Sequence, residues 1–397
     1  MKKYLSVYNK KMRKIFKLRL FNFYCLLSTL IISGCVTEYK ATGIDEISNI
    51  LVVEGFITDN ESIIRLSRSV NLADDPNSSN VHNAKVYLQC DDGTQLSASN
   101  LYLGRYDISN ENLDPHRKYR IKIEVEEPDL DCISNDNNET SCPTKIYEYY
   151  SEYTHPIITP EIDSLFWIKR GGGQPVMIHV ATGALNVEEQ YYLWSFKEDW
   201  EINAIEFIYG YPYYCWNTAN NTEILLGTSD KNVAGQLIEK ITEISSANMK
   251  LSVLYRIDIK QNTISKQAYN YFNNIKKNVE QMGTIFAPTP SEIKGNVTCI
   301  TDPRKPVIGY VEVSTTTYKR LYIDAIDVYE PSNTLDCTKY SESDLRAMYP
   351  GDPELPWFPP SFYIRVLDGD FPPVYILHRC IDCRFYGTLI RPNDWPN

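Results

Sequence analysis

The sequence predicts a mainly β protein, in which an N-terminal Ig-like or transthyretin-like β-sandwich precedes a larger β-rich domain with one amphipathic helix. Three observations predict this class. Short segments with alternating apolar side chains recur along the chain, turn residues separate them, and a single long segment has apolar residues at helical spacing. Short strands at frequent intervals are typical of β-sandwiches.

The first 34 residues have the zones of a lipoprotein-type signal peptide. Six lysines and two arginines precede a short apolar run at 23–32, well below the roughly 20 residues that a membrane-spanning helix needs. The run ends in Ile32-Ser33-Gly34-Cys35, which resembles the lipobox of bacterial lipoproteins. We therefore expect cleavage before Cys35, acylation of Cys35 with diacylglycerol and a further chain such as palmitate, and a tether over residues 35–48. An ordinary signal peptide followed by a cysteine is the alternative, and Met12 is an alternative start.

Residues 49–127 are predicted to form the N-terminal sandwich. A β-branched and aromatic segment at 50–58 leads into the turn Asp59-Asn60-Glu61, and residues 84–90 and 119–125 alternate apolar with polar side chains. Asp91-Asp92-Gly93 predicts a hairpin. The order of these segments resembles a carboxypeptidase-regulatory-like module, which implies the role of a structural spacer.

The second β-rich domain is predicted at 161–328, after a polar and acidic linker at 128–160. Its helix is predicted at 265–282, because Ser265 can cap the helix, an apolar stripe follows, and Gly283 can end it. Residues 329–397 are irregular and rich in Cys and Pro, and we expect this C-terminal segment to pack on the second domain.

Charge and cysteine content fit an exported protein. Removing the signal leaves 32 basic against 51 acidic side chains, a net charge near −19, which disfavours nucleic acid and anionic lipid headgroups as partners. With Cys35 acylated, an even number of cysteines remains, which is typical of disulfides outside the cytoplasm. The disulfide candidates are Cys90, Cys132, Cys142, Cys215, Cys299, Cys337, Cys380 and Cys383.

One pairing and one motif stand out among these cysteines. Cys132 and Cys142 bracket a polar loop within the predicted linker, and we expect a disulfide there. Cys380-Ile381-Asp382-Cys383 also has the spacing of redox and zinc motifs, although zinc would need His378 and Cys337 as further ligands. Structural disulfides are the favoured interpretation, and neither a metal nor a cofactor is expected.

Several sequence segments, taken in order, are similar to those of one known family. They are Leu51-Val52-Val53-Glu54-Gly55-Phe56-Ile57-Thr58-Asp59 with Arg65-Leu66-Ser67-Arg68, Ile162-Asp163-Ser164-Leu165, Cys215-Trp216, Ile264-Ser265-Lys266-Gln267-Ala268-Tyr269, Ile293-Lys294-Gly295-Asn296-Val297, Asp302-Pro303 with Pro306-Val307-Ile308-Gly309-Tyr310, and Cys380-Ile381-Asp382-Cys383 with Gly387, Thr388, Pro392 and Trp395. Together they resemble the four-two-four-nine domain-of-unknown-function family of Bacteroidota lipoproteins. The resemblance implies an outer-membrane lipoprotein, often encoded beside a TonB-dependent receptor. The chain departs from the family pattern in the Asn-rich loop between Cys132 and Cys142 and in the Pro-rich segment before Phe362.

The sequence carries no catalytic signature. Neither Gly-x-Ser-x-Gly, His-Glu-x-x-His, Gly-x-x-x-x-Gly-Lys nor Gly-x-Gly-x-x-Gly occurs, and the five histidines are scattered. Acid pairs such as Glu126-Glu127 are adjacent, so on a strand their side chains point to opposite faces. We therefore expect a non-enzymatic protein; an enzyme whose site is assembled from scattered carboxylates is the alternative.

An aromatic cluster at 207–216 is the candidate ligand-binding site. Tyr and Trp offer flat faces on which a sugar, a peptide or a protein partner can stack. The candidate residues are Tyr209, Tyr211, Tyr213, Tyr214 and Trp216. The alternative is a loop that covers the sandwich core and is pinned by Cys215.

These observations favour one function over another. We expect an outer-membrane lipoprotein, lipid-anchored at the cell surface, that acts as a non-enzymatic accessory or ligand-binding subunit of a TonB-dependent nutrient-uptake system; the periplasmic face of that membrane is the alternative location. Its expected partners are the TonB-dependent receptor and the membrane that holds the anchor. A structural or adhesive cell-surface lipoprotein without an uptake role is the alternative.

Overall fold

The computed structural model describes residues 49–70, 79–109, 112–132, 142–183, 189–229, 236–281, 295–330, 337–351, 359–366 and 374–396. The predicted signal peptide, Cys35 and its tether, and the Asn-rich loop at 133–141 lie outside these ranges. Within them, no helix combines the length and the apolar composition that crossing a membrane requires.

The protein is mainly β, as predicted. The strands are β1 (Leu51–Ile57), β2 (Glu61–Arg68), β3 (Lys85–Cys90), β4 (Gln95–Ser97), β5 (Ser99–Asn100), β6 (Arg105–Ser109), β7 (Tyr119–Pro128), β8 (Thr144–Ser151), β9 (Ile162–Ile168), β10 (Val176–Gly183), β11 (Tyr191–Asn203), β12 (Tyr214–Asn220), β13 (Leu225–Thr228), β14 (Gln236–Ile244), β15 (Leu254–Ile264), β16 (Val297–Cys299), β17 (Val307–Val313), β18 (Thr316–Asp324), β19 (Tyr363–Val366) and β20 (Val374–Leu377). The helices are α1 (Lys266–Gln281), α2 (Ala325–Val328), α3 (Glu342–Met348) and α4 (His378–Ile381), with 3₁₀ turns at Met249–Leu251 and Cys383–Phe385.

Two five-stranded sheets form the first sandwich. Their strand orders are β17-β1-β2-β6-β5 and β16-β8-β7-β3-β4. Alternation explains which side chains face inwards: on β7, Ile121 and Ile123 are buried, while Arg120 and Lys122 lie on the outer face. The inward side chains of both sheets join into one core.

The first sandwich draws strands from outside its predicted range of 49–127. Strand β8 lies within the predicted linker, yet it pairs with β7 along its length. Strands β16 and β17 lie within the predicted second domain, yet β16 pairs with β8, and β17 pairs in parallel with β1. The chain thus leaves the first sandwich after β8 and returns to complete both of its sheets. Local alternation identifies a strand but does not identify its partner, which explains the difference.

The pairing of β17 with β1 depends on two glycines, Gly295 and Gly309, because the backbone approaches them closely. A Cβ on Gly309 would lie 2.0 Å from the carbonyl oxygen of Val53, and one on Gly295 would lie 1.5 Å from that of Gly309. Gly309 also has φ of 152°, outside the usual range of residues with side chains. Only glycine permits this approach.

The second sandwich packs a three-stranded sheet, β14-β10-β9, against a sheet ordered β12-β11-β15-β18, with β13 also paired to β11. Their apolar faces share a core that includes Trp194, Tyr255 and Ile257. The predicted helix at 265–282 is observed as α1, which begins one residue later than predicted, and its predicted end at Gly283 lies outside the described residues. Ser265 caps it as predicted, because its Oγ accepts a hydrogen bond from the Ala268 amide at 3.1 Å.

Helix α1 also contacts the first sandwich. The Tyr271 ring of α1 lies 5.4 Å from the Tyr310 ring of β17, and Phe272 stacks at 6.3 Å on Phe56 of β1. The amide and hydroxyl of Ser265 donate to Glu312 of β17, at 2.9 and 2.7 Å. Aromatic packing and a buried carboxylate therefore join the two sandwiches.

The described residues contain three disulfides, and the expected Cys132–Cys142 pair is confirmed. The other two join Cys215 to Cys383 and Cys337 to Cys380. The prediction of disulfides is wrong for Cys90 and Cys299, which are buried free thiols. These two lie on β3 and β16, three strand spacings apart or roughly 14 Å, whereas disulfide Cα atoms lie within about 7 Å.

Candidate binding surface

The predicted aromatic cluster is the loop that joins β11 to β12. The Ala204 amide donates to the Tyr213 carbonyl at 2.8 Å, directly after the strands pair Asn203 with Tyr214. The loop is therefore held at both ends by a ladder of main-chain hydrogen bonds. Its aromatic side chains divide into two groups.

The first group faces solvent. Tyr209 is 93% exposed, Phe207 is 66% exposed and Tyr214 is 55% exposed. Phe207 was part of the predicted cluster but not among the candidate ligand residues. Exposed aromatic side chains on a fixed loop can contact a partner.

The second group packs inwards. Tyr211 packs against the core of the C-terminal segment, with its ring 5.6 Å from the imidazole of His378. Tyr213 packs beside the Cys215–Cys383 disulfide, and the backbone of Trp216 pairs with Thr388 through two hydrogen bonds of 2.8 Å. For Tyr211, Tyr213 and Trp216 the structure supports the alternative interpretation, a covering loop pinned by Cys215.

The two thiols of the Cys-x-x-Cys motif bond to different partners. Cys380, in α4, joins Cys337, while Cys383 joins Cys215 of β12. The Cys383 amide also donates to the Pro212 carbonyl at 3.0 Å. The motif therefore fastens the C-terminal segment both to itself and to the second sandwich, and both sulfurs are used in disulfides rather than in a zinc site.

This fastening forms an aromatic cleft beside the loop. The cleft has a volume of about 670 Å³ and is lined by Tyr349, Ser361, Phe362, Tyr363, Leu377, His378, Arg379 and Phe385. Phe362 lies 5.1 Å from Tyr363 and 6.1 Å from Tyr349 in one aromatic group, while Phe385 lies 5.0 Å from His378 in another. A cleft of this size and lining is typical of sites for small ligands.

The described lining of the cleft carries a positive charge, although the protein as a whole is acidic. No Asp or Glu belongs to its described lining, whereas Arg379 does and forms no ion pair within the described part of the chain. The nearby Asp382 is buried; hydrogen bonds from Arg384 hold its pKa below the usual range, although burial opposes this. The Nε2 atom of His378 lies 3.3 Å from Asp382, so protonated His378 would be paired as well. Among the described residues none forms an ion pair with Arg379, and an anion entering the cleft would meet this charge.

Sequence reasoning missed this cleft because its lining comes from separate short segments. Positions 349, 361–363, 377–379 and 385 share no periodic pattern. The one available signal was Cys380-Ile381-Asp382-Cys383, which lies between lining residues.

Among the acid pairs, Glu126 is exposed and Glu127 is buried, so they do point to opposite faces.

The comparisons with known proteins identify a family without a known activity. A family model described as "Domain of unknown function (DUF4249)" matches residues 36–130 and 143–320. No curated protein matches the chain. All residues that line the aromatic cleft lie beyond the matched part.

Proposed function

The chain belongs to the DUF4249 family, and from that premise we propose that it is a lipid-anchored, non-enzymatic ligand-binding subunit of a TonB-dependent nutrient-uptake system. Acylation of Cys35 would hold it at the outer membrane, facing the cell surface. The observation that carries the proposal is the disulfide-fastened aromatic cleft that contains Arg379, which forms no ion pair with any described residue. Aromatic walls and one cation without an ion pair among the described residues suit binding rather than catalysis.

The cleft chemistry favours an acidic saccharide as ligand. Sugar rings can stack on Phe362 and Phe385, while a carboxylate can pair with Arg379. Ser361 and the tyrosines add hydroxyl groups that can donate and accept. An extended peptide fits less well because its recognition relies on free main-chain groups. Here the His378 amide already donates to the Phe362 carbonyl at 2.9 Å, and the Tyr363 amide to Pro360.

Calorimetry with the full-length mature protein in detergent tests the ligand. The probes are trigalacturonate and a hyaluronan tetrasaccharide, each compared with its methyl ester. Arg379→Gln should weaken binding of the acids by at least about tenfold and leave the esters unaffected. Arg365→Gln, which removes an exposed cation from β19, the strand that pairs with the one leading into α4, is the matched control. Equal binding of acids and esters, or no binding of either, would refute the cleft assignment.

The exposed aromatic side chains of the β11–β12 loop are proposed to contact the receptor. Pull-down from detergent-solubilised outer membrane should recover a β-barrel receptor with the wild-type protein. Replacement of Phe207, Tyr209 and Tyr214 by Ser should abolish recovery, whereas Ile326→Ser, at an 89% exposed position of α2, should not. Recovery of no receptor by the wild type would favour the structural or adhesive alternative.

The anchor is tested separately. A fatty-acid probe should label the wild-type protein and not the Cys35→Ala variant, and that variant should leave the membrane fraction. A wild-type protein without label would remove the basis for placing the protein at a membrane.

A further inference from the structure

An apolar tip projects from the first sandwich at the turn between β5 and β6. Tyr102 is 80% exposed, Leu103 is 60% exposed and Leu101 is 45% exposed. Three consecutive apolar side chains in solvent are unusual at the end of a sandwich, where turn residues are mostly polar. The tip needs an explanation other than core packing.

The tip is a fixed and strained structure. Tyr102 and Leu103 have positive φ values of 68° and 51°, which is costly for residues with side chains. The turn is closed by hydrogen bonds from the Leu101 amide to the Arg105 carbonyl at 2.8 Å and from the Arg105 amide to Tyr102 at 3.0 Å. The Leu66 amide of β2 donates to Gly104 at 2.7 Å. The backbone therefore holds the apolar side chains outwards at an energetic cost, which is typical of a functional surface.

The tip lies at the end of the sheet where the tether joins. Strand β2 pairs Arg65 with Arg105 of β6 and Arg68 with Leu51, the first residue of β1. The turn that immediately precedes Arg105 therefore reaches the level at which β1 begins. The segment that connects Cys35 to the fold enters at this same end, through Asn49, whose amide donates to Ser69 at 3.0 Å.

The polar surroundings of the tip also suit a lipid surface. Arg65 and Arg105 are exposed and lie opposite each other on the two strands behind the tip, and the exposed Glu54 of β1 lies opposite Arg65 on its other side. Leu and Tyr side chains partition into the boundary between headgroups and acyl chains, while arginines bind lipid phosphates. This local pair differs from the acidic net charge of the whole chain.

From these observations we propose that the tip at Leu101–Leu103 inserts into the lipid interface next to the anchor and orients the first sandwich on the membrane. The inference rests on the proposed lipid anchor. A tether alone leaves the fold free to tumble, whereas a second contact fixes its orientation. Acyl anchor and tip would act together, because one covalent attachment raises the local concentration of the other at the surface.

Quenching by brominated acyl chains tests the insertion. The lipidated full-length protein is reconstituted in phosphatidylethanolamine–phosphatidylglycerol vesicles, and Tyr102→Trp is compared with Tyr209→Trp, a matched exposed tyrosine on the second sandwich. After subtraction of the wild-type signal, the added tryptophan at 102 should lose about half of its fluorescence and that at 209 little. Equal quenching at the two positions would overturn the proposal.

A second variant separates the tip from the tether. Leu101→Ser and Leu103→Ser, added to Tyr102→Trp, should abolish the quenching although the protein stays on the vesicles. Persistent quenching would show that the tether alone sets the depth, and would overturn the proposal. Flotation of the vesicles keeps the two ideas distinct: protein that fails to float refutes the anchor, whereas protein that floats without quenching refutes only the tip.

Discussion

The buried ion pair between Asp199 of β11 and Arg256 of β15 offers a quantitative test of the fold. Asp199 is fully buried, and Arg256 donates to it from both Nε and a terminal nitrogen, at 3.2 and 2.6 Å. Burial opposes the charge on Asp199, but hydrogen bonds from Thr218 and Arg256 outweigh it, and the pKa of Asp199 is lowered. Arg256 also donates to the Asn393 carbonyl at 2.9 Å, so the pair helps to hold the C-terminal residues.

We expect Asp199→Asn to destabilise the protein by about 2–4 kcal/mol. Leaving one member of a buried pair uncompensated typically costs about 3–5 kcal/mol. Asp258, 3.5 Å from Arg256, retains part of the attraction, which lowers our figure. The measurement is the free energy of unfolding in guanidinium chloride.

Glu342→Gln is the matched control for this prediction. It makes the same carboxylate-to-amide change in an exposed pair with Arg346, on α3, where we expect less than about 0.5 kcal/mol. If Asp199→Asn cost no more than this control, the buried pair would contribute nothing to stability, and the reasoning from burial would be refuted.

Three further predictions follow from the contacts between distant segments. Replacing both Cys215 and Cys383 by Ser should lower the free energy of unfolding in denaturant by up to about 5 kcal/mol, because this cross-link spans 168 residues. Removing the Cys132–Cys142 disulfide, which spans ten residues, should cost less, and equal costs would contradict this. Burial raises the pKa of Glu312 above its ordinary value of 4.5, so its contribution to stability is greatest below that pH and falls as pH rises through the raised pKa. Glu312→Gln should therefore become less destabilising, relative to the wild type, between about pH 4 and 8 in pH-dependent unfolding, and a constant difference would count against this. Gly309→Ala should abolish soluble expression or lower the free energy of unfolding by more than about 3 kcal/mol in thermal denaturation, because the new Cβ would overlap the Val53 carbonyl. A near-native melting temperature would contradict the close approach.

Local patterns in the sequence predicted the elements well. The alternation around Tyr255, Ile257 and Ile259 lies within β15, and Ser265 caps α1 as expected. The Cys132–Cys142 pair was predicted because the two cysteines are close in sequence. Each of these features is determined by neighbours within a few residues, which is why sequence alone identifies it.

Long-range pairing was not predictable in the same way. Tyr147 and Tyr149 of β8 are fully buried, yet their acidic and tyrosine-rich neighbourhood was interpreted as a linker. The Tyr147 hydroxyl accepts a hydrogen bond from the Leu130 amide at 3.0 Å, which allows its burial. The alternation of tyrosines in this stretch was the available signal for a strand.

The candidate site shows the same difference between local features, which the sequence predicts, and long-range contacts, which it does not. Of the aromatic residues predicted to bind a ligand, Tyr209 and Tyr214 are exposed, and their role in binding stays a prediction. Aromatic density could not show that Tyr211 and Tyr213 would be covered, because their covering comes from residues more than 160 positions later. Likewise Arg379 carried no recognisable motif, since its importance depends on the charges that surround it in space.

The return of β16 and β17 to the first sandwich has a consequence for biogenesis. A chain that emerges amino terminus first cannot complete the sheet of β16 until residue 299 has emerged, nor the sheet of β17 until residue 313 has emerged, long after β1 is available. The unpaired edges of β1 and β8 would be open to non-native pairing throughout that interval. An isolated fragment that stops at residue 127 lacks β8, β16 and β17, and it should therefore not yield a stable module.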